Sequence, residues 1–263
     1  MYPSLMGGYM GHVVSCRAMT KTSLTIIRYP AWAALAGLLS MALFRLPLWM
    51  NRKVTFFKLM GSGKNGTFDK KPDWRQWAIM LVLEDDNQAQ TSPREIPLLH
   101  QRLFGSFIAG WIRIFRGESF TVMLNPIEGH GTWDGKQVFG QLPPKSGYEG
   151  PIAVMTRATI RISRLGYFWR HVAPVAAQMS GAPGFITSFG IGEVPWIKQA
   201  TFSIWRSKQD MKNFAYGMKE HQEVIRLTRQ QQWYSEDMFV RFQITDCIGS
   251  LNGREPVPEN LYL

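Results

Sequence analysis

His221 is the residue of this sequence whose position best suits redox chemistry. It lies in a predicted helix over residues 207–231, three positions after Met218 and four before Ile225, on the apolar stripe of that helix. A neutral imidazole on such a stripe faces the protein interior. There it can be an axial ligand of haem iron, which needs an apolar slot, or a core histidine bonded to a backbone carbonyl. Its position alone favours the core histidine.

Histidine and cysteine elsewhere give little support for a non-haem metal. The other histidines, none of them spaced for an HExxH motif or a facial triad, are His12, His100, His130 and His171. His130 lies in a glycine-rich segment that is predicted to be a flexible loop. Cys16 and Cys247 form no CxxC pattern, so two free thiols in a reducing compartment are expected.

Glycine-rich segments of the chain resemble nucleotide-binding loops only superficially. Residues 61–66 lack the GxxxxGK[ST] spacing, and Gly190 and Gly192 supply only two of the three glycines of a dinucleotide fingerprint. We find no flavin, nicotinamide or iron–sulfur signature. An oxidoreductase with this sequence would therefore take its electrons from a separate donor.

Composition and charge limit the classes of partner. Of the 263 residues, 45% are hydrophobic and 19% are charged, which is typical of a globular chain. The net charge of +11 suits an anionic partner such as a membrane leaflet, a nucleic acid or a carboxylated cofactor. The basic residues are dispersed and no nucleic-acid-binding module is found, so the membrane and the cofactor are favoured.

An apolar run over residues 31–44 (AWAALAGLLSMALF) distinguishes the N-terminal part of the chain. Fourteen residues fall short of the roughly 20 that cross a bilayer, so the run predicts an interfacial or a buried helix. Basic residues that could meet anionic head groups flank it, namely Arg28, Arg45, Arg52 and Lys53. A signal peptide is the other alternative, but no convincing cleavage site of small residues follows.

The remaining chain alternates between apolar strands and amphipathic helices. Strands are predicted at 54–60, 77–83, 120–124, 152–162, 199–205 and 239–245, and helices at 97–115, 165–178 and 207–231. Residues 125–150 are rich in glycine and proline and predict a long loop or lid. Residues 181–195 are predicted to be a glycine-rich connection.

This order of elements predicts an α+β fold. Two ferredoxin-like halves would form a dimeric-α/β-barrel-like unit that carries the N-terminal hydrophobic helix. The boundaries follow the pattern: an N-terminal segment at 1–52, a first half at 53–150 and a second half at 151–263. No sequence repeat relates the two halves.

Six sequence blocks in the C-terminal part resemble the spheroidene monooxygenase family of carotenoid-oxidising enzymes. The blocks are PIAVMTRATIRI (151–162), Phe168-Trp169 with Pro174, GIGEVP (190–195), QATFSIW (199–205), Phe214-Ala215-Tyr216 followed by His221, and Trp233-Tyr234-Ser235-Glu236 with FVRF (239–242). Their order and spacing are more specific than any single block. Residues 1–150 match the family only weakly.

The resemblance implies oxygen-dependent insertion of a keto group into an acyclic carotenoid or a similar apolar polyene. It implies haem b as the cofactor, His221 as the axial iron ligand, and an external electron donor of the ferredoxin type. Arg157 and Arg161 lie four positions apart on one strand and could pair with haem propionates, or could be ordinary surface charges. The candidate pocket walls are Trp205, Phe214, Tyr216 and Trp233.

Two alternatives stay open from the sequence. One is another haem enzyme on the same scaffold, such as a dehydratase of the aldoxime type. The other is a non-enzymatic ferredoxin-like module that binds haem or another hydrophobic ligand, for which His221 could be plain core. The expected location is the cytoplasm, with peripheral attachment to the inner membrane and a homo-oligomeric state as further expectations.

Overall fold

The structure of the protein is a computed structural model that describes residues 21–64, 71–84, 95–217, 226–228 and 230–261. The side chains of residues 172–177 also lie outside the description. The strands in the described residues are β1 (Lys21–Arg28), β2 (Val54–Gly63), β3 (Pro72–Leu83), β4 (Glu118–Gly131), β5 (Ile152–Ile160), β6 (Phe185–Val194), β7 (Lys198–Trp205) and β8 (Tyr234–Gly249). The α-helices are α1 (Ala34–Leu43), α2 (Arg45–Met50), α3 (Ile96–Phe104), α4 (Ser106–Ile114), α5 (Leu165–Met179) and α6 (Lys208–Gly217).

The eight strands close into one antiparallel barrel in the order β1-β3-β2-β6-β7-β5-β8-β4. The first four strands are contiguous in the order β4-β1-β3-β2, and the last four in the order β8-β5-β7-β6. The two runs meet where β2 pairs with β6 and where β4 pairs with β8. The α+β class and the barrel predicted from the sequence are therefore present.

The strand β1 was not predicted, although it pairs with β3 on one side and with β4 on the other. Leu24 and Ile26 point into the barrel and are fully buried, while Thr25 on the outer side shares a hydrogen bond of 2.8 Å with Thr121. Both faces of β1 are covered. A strand buried on both faces lacks the alternation of apolar and polar residues that reveals a half-exposed strand.

Three predicted boundaries were wrong. The connection at 181–195 contains strand β6, and β4 and β8 extend well beyond the short strands predicted at 120–124 and 239–245. In β4 and β6, glycines interrupt the apolar pattern because backbones approach closely. A Cβ atom on Gly131, for example, would lie 2.2 Å from the carbonyl oxygen of Asp237, so glycine belongs to the strand rather than to a loop.

Side chains fill the inside of the barrel. The middle is apolar, with Met80, Phe120, Phe202 and Phe242 all buried. The segments that follow β4 and β8 close the space with further buried apolar residues, which are Trp133, Phe139, Leu251 and Val257. The interior is therefore a packed core, and the functional surfaces lie on the outside.

Helices cover the barrel on two sides. The helices α1, α2, α3 and α4 pack on the outer faces of β1, β3 and β4. The predicted helix 97–115 is two helices that break at Gly105, where φ is +83°. The helices α5 and α6 lie on the other side, over the outer faces of β5 and β7. This second side carries the candidate site.

Candidate functional site

The candidate site is the outer face of the sheet β4-β8-β5-β7-β6, where side chains form three parallel rows. The first, the Trp205 row, consists of Gln243, Ile152, Trp205 and Phe185. Trp205 is buried beneath α6, and its ring centroid lies 5.4 Å from that of Phe214 with an interplanar angle of 35°. This row is an apolar and aromatic wall.

The helix α6 is held over this wall by its N-terminal cap. The Ser207 hydroxyl accepts a hydrogen bond from the backbone N–H of Asp210 at 3.0 Å and donates one to the Asp210 carboxylate at 2.7 Å. This arrangement satisfies a backbone donor that the first turn leaves without a helical partner. This cap agrees with the predicted start of the helix at residue 207, and it fixes where Met211 and Phe214 meet the sheet.

The second row, the Arg241 row, consists of Glu128, Arg241, Val154, Ser203 and Ser188. Glu128 is 1% exposed and Lys208, at the start of α6, is 2% exposed. The Lys208 ammonium lies 3.1 Å from the Glu128 carboxylate, and Arg241 forms an ion pair with the same carboxylate. Lys208 also donates to the carbonyl oxygen of Ser146 at 2.8 Å.

Glu128 is the anionic centre of this row. Burial alone would raise the pKa of its carboxyl group, but hydrogen bonds from Ser146, Arg241 and Lys208 outweigh burial and lower that pKa to about 2. Glu128 is therefore ionised at neutral pH. Two cationic side chains face one carboxylate, which leaves an excess of positive charge at a largely buried position.

The third row, the Thr156 row, consists of His130, Phe239, Thr156, Thr201 and Gly190. Thr156 is exposed although it lies in the middle of β5, and its neighbours Val154 and Ala158 on the same face are buried. The ring of His130 stacks on Phe239 with centroids 5.8 Å apart, and the residue is exposed. The predicted loop position of His130 was wrong, since the residue belongs to β4.

A separate polar cluster lies inside the barrel, around Arg157. The guanidinium group is 1% exposed and pairs with Glu236 at 2.5 Å, with Asp134 at 3.1 Å and with Glu193 at 3.3 Å. It also lies over the ring of Trp133, with 5.4 Å to the ring centroid. Arg157 is thus held by three carboxylates on the opposite face of the sheet from Trp205.

The six predicted site residues that the structure describes do not lie in one place. Trp205 and Phe214 contact each other, whereas Trp233 packs with Phe168 and Trp169 in a different cluster. Tyr216 is 61% exposed. Arg161 follows the end of β5, is exposed and donates to the carbonyl oxygen of Tyr234 at 3.2 Å, so it does not share a face with Arg157. His221 lies outside the described residues.

Sequence reasoning missed the buried trio of Glu128, Lys208 and Arg241. Glu128 was placed in a loop, and a lysine at a helix start is usually solvated. Arg241 offers one signal, because it stands among the apolar residues of the block FVRF (239–242). Strand alternation puts it on the face opposite to Phe242, and therefore on the outer face next to Val154.

Clusters of metal-binding side chains are absent from the described part of the chain. No three His, Cys, Asp or Glu residues within it are close enough together to hold a metal ion. His100 is buried and lies 3.1 Å from the Ser119 hydroxyl, and burial lowers its pKa to about 4. Burial likewise raises the pKa of the Cys247 thiol. Both groups are therefore neutral at pH 7.

The fold defines the class of protein. It is similar to two solved aldoxime dehydratases, one of them in complex with butyraldoxime: the TM-scores are 0.57 and 0.56, with 8% and 10% identity. Each similarity covers 90% of this chain, and 84% and 86% of the dehydratases. The protein is thus an α+β barrel protein of that structural class. No family model matches the chain.

Sequence relatives then define the family. Spheroidene monooxygenases from Cereibacter sphaeroides and Rhodobacter capsulatus are 36% and 32% identical over 80% and 91% of this chain. A third, from Rubrivivax gelatinosus, is 30% identical over 76%. The chain belongs to the spheroidene monooxygenase family, a family of enzymes. The matched region spans 61% of the Cereibacter protein and 96% of the Rhodobacter protein.

Proposed function

We propose that this protein is a haem-dependent monooxygenase that introduces a keto group into an acyclic carotenoid or a similar apolar polyene. The observation that carries the proposal is family membership over most of the chain, with relatives named as spheroidene monooxygenases at 30–36% identity. Electrons would come from an external donor of the ferredoxin type. A cytoplasmic location is part of the proposal, because two cysteines without a CxxC pattern suit a reducing compartment.

The outer face of β5, β7 and β8 suits a planar apolar group that carries carboxylates. Trp205 and Phe214 offer an aromatic wall, and the exposed Thr156 marks uncovered sheet beside it. Among the described residues, the Nε of Arg241 is buried and has no hydrogen-bond partner. An arginine N–H of this kind, in a row with excess positive charge, can bind a propionate.

We therefore assign the roles as follows. His221 would hold the haem iron, Trp205 and Phe214 would contact the haem, and Arg241 with Lys208 would bind a propionate. When bound, the haem would supply the activation of dioxygen. Arg157 becomes the less favoured propionate partner, because this buried side chain already pairs with three carboxylates, and losing those partners would destabilise the protein.

The chain's own groups would exclude water and position the substrate. The aromatic wall and the buried Val154 keep one side of the face apolar, which favours a polyene over a polar substrate. The hydroxyl groups of Thr156 and Thr201 and the imidazole of His130 are polar groups on the Thr156 row. Tyr216, Trp233 and Arg161 stay predicted haem contacts, although they do not lie at the wall formed by Trp205 and Phe214.

The two contiguous runs of strands suggest how the chain is divided. In each run the chain order is strand, helix, strand, strand, helix, strand. We propose that they are two ferredoxin-like halves, with the boundary near residue 151 as the sequence predicts. The first half would then begin with β1 rather than at residue 53. Homo-oligomerisation stays a prediction.

A dehydratase of the aldoxime type is the second candidate, and the similarity of fold to two aldoxime dehydratases favours it. Such a reaction needs no external electrons. Turnover of an aldoxime without any reductant, together with no oxidation of an acyclic carotenoid in the presence of reductant and oxygen, would select this candidate. A module that only binds a hydrophobic ligand would show neither reaction.

Haem ligation can be tested with a pair of histidine variants. We expect protein produced with iron and haem precursor to show a Soret band, and His221→Ala to lose at least nine-tenths of it. His130→Ala is the matched control, because His130 lies on the Thr156 row of the same face and should keep the band. Far-ultraviolet circular dichroism checks folding. Loss of the band in His130→Ala alone would transfer the ligand role to His130.

A further inference from the structure

We propose that the outward faces of α1, α2 and α4 form a docking surface for an anionic lipid bilayer. This apolar helical face consists of large apolar side chains that are more than half exposed, namely Trp32, Leu35, Leu46, Trp49, Phe107 and Ile114. Contiguous exposed apolar surface of this kind marks an interaction site in a folded protein. The inference rests on no step of the proposed oxidation chemistry.

The N-terminal helical segment lies along the protein and does not leave it. By length and composition alone, the 20 residues Ala31–Met50 could cross a membrane, but only a third of the segment is buried. Its buried positions Ala33, Ala36, Ser40 and Phe44 recur at helical spacing and pack on the barrel. One face of the segment therefore packs against the barrel, and the opposite, apolar face is exposed.

The helix α4 runs beside this segment in the opposite direction. The ring of Trp32 lies 6.3 Å from that of Phe115, and the ring of Phe44 lies 6.5 Å from Phe107 and 6.1 Å from Trp111. Both elements pack on the same barrel strands, so their outward faces point the same way. Phe107 and Ile114 thereby widen the stripe from α1 and α2 into a surface two helices broad.

Charge identifies the partner as an anionic surface. Neither 21–64 nor 96–117 contains any Asp or Glu. The basic residues around the face are Arg45, Arg52, Lys53, Arg102 and Arg113, and all of them are exposed. An apolar surface bordered by these cations complements the negative leaflet of a membrane.

Two further features favour a bilayer over a second protein. Trp32 and Trp49 stand at the two ends of the segment, about 25 Å apart by helical rise, and tryptophan prefers the level of the lipid head groups. A cleft of about 450 Å³ between α2 and the start of α4 also combines Met50 and Phe107 with Lys53 and Arg102 among its lining residues. Apolar and cationic groups in one cleft suit a phospholipid, whose head group is anionic and whose chains are apolar.

Vesicle flotation of the full-length protein tests the proposal. Vesicles of phosphatidylglycerol and phosphatidylcholine should float the protein, while pure phosphatidylcholine vesicles should float at least tenfold less. Leu35→Ser with Leu46→Ser should lower binding to the anionic vesicles at least tenfold. The matched control is Ile162→Ser with Tyr167→Ser, since these apolar residues are also exposed but lie far along the chain, and it should change binding less than twofold.

Two double charge-reversal variants provide a second test if the double serine variant does not fold. Arg45→Glu with Arg113→Glu should lower binding to anionic vesicles at least tenfold, whereas Arg206→Glu with Arg254→Glu, on other exposed elements, should lower it less than threefold. Equal losses in both charge pairs, or no flotation of the wild type, would overturn the proposal. The proposal would also be overturned if the wild type is a stable dimer and the double serine variant is a monomer that still floats with anionic vesicles. The apolar helical face would then bind a second copy of the chain.

Discussion

The chemistry at the residue scale depends on which face of β5 a side chain occupies. Arg157 and Thr156 are neighbours in the chain, yet Arg157 lies among three carboxylates inside the barrel and Thr156 is exposed outside it. Arg241 is the outward-facing arginine of the next strand and sits beside Val154. The role that the sequence assigns to an arginine near a carboxylated cofactor therefore suits Arg241 better.

Arg157 is expected to stabilise the fold. Arg157→Met should lower the free energy of unfolding by about 1–3 kcal/mol, because it leaves the partly buried carboxylate of Glu236 without its cation. Asp134 and Glu193 keep their ion pairs with Lys58. Arg161→Met is the control, and a change below about 0.5 kcal/mol is expected at this exposed residue. Urea unfolding followed by tryptophan fluorescence measures both. A stable Arg157→Met protein that has lost only its haem would instead support the original assignment of a propionate partner.

At the scale of elements, one close contact positions the N-terminal helix on the barrel. A Cβ atom on Gly37 would lie 2.7 Å from Nε1 of Trp77 and 2.8 Å from a ring carbon of Tyr29. The absence of a side chain there lets α1 approach β3. This contact decides which side of the segment faces outward, and hence which residues form the apolar helical face.

A pair of glycine substitutions tests this contact. Gly37→Ala should lower the free energy of unfolding by about 1–3 kcal/mol, because the added methyl group overpacks the interface. Gly110→Ala, in α4, meets no atom within 4 Å and should raise it by up to about 1 kcal/mol through helix propensity. Chemical denaturation of both variants gives the comparison. An unchanged or more stable Gly37→Ala protein would contradict the close packing of α1.

At the scale of the whole molecule, buried ion pairs tie distant strands together. Glu236 of β8 and Glu193 of β6 bind Arg157 of β5, and Lys58 of β2 binds Glu193 at 2.6 Å. These contacts cross both runs of strands. The outer trio of Glu128, Lys208 and Arg241 likewise joins β4, α6 and β8.

These pairs predict acid lability. Burial raises the pKa of Glu128 and Glu236, but hydrogen bonds and nearby cations outweigh it and lower both pKa values to about 2. A carboxyl group whose pKa is lower in the folded state stabilises the protein above its unfolded pKa of about 4.5 and loses that contribution as pH falls towards 2. We therefore expect the free energy of unfolding to fall by a few kcal/mol in that window.

Urea titrations at a series of pH values measure this effect. Arg157→Met should flatten the slope between pH 4.5 and 2, since Glu236 no longer has its buried cation and its folded pKa rises. Arg161→Met should leave the slope as in the wild type. A wild-type stability that does not change between pH 5 and 2.5 would contradict the depressed pKa values.

Local patterns in the sequence determined the α+β class, the cap of α6 at Ser207, the cores of most strands and the family resemblance. Each of these depends on residues close together in the chain, where side-chain spacing and capping chemistry act directly. The apolar run at 31–44 likewise predicted an interfacial or a buried helix, and the helical segment continues to Met50.

Only the tertiary structure decided which faces these elements present. Gly61 pairs with Gly192 and His130 with Phe239, contacts across more than a hundred residues that no local pattern encodes. A shift of one residue in such a pairing would move the side chains of a strand from the interior of the barrel to its exterior, and the reverse. For that reason the pairing of the buried Arg157 with three carboxylates, the exposure of Thr156 and the outward position of Arg241 follow from closure of the barrel rather than from the local sequence.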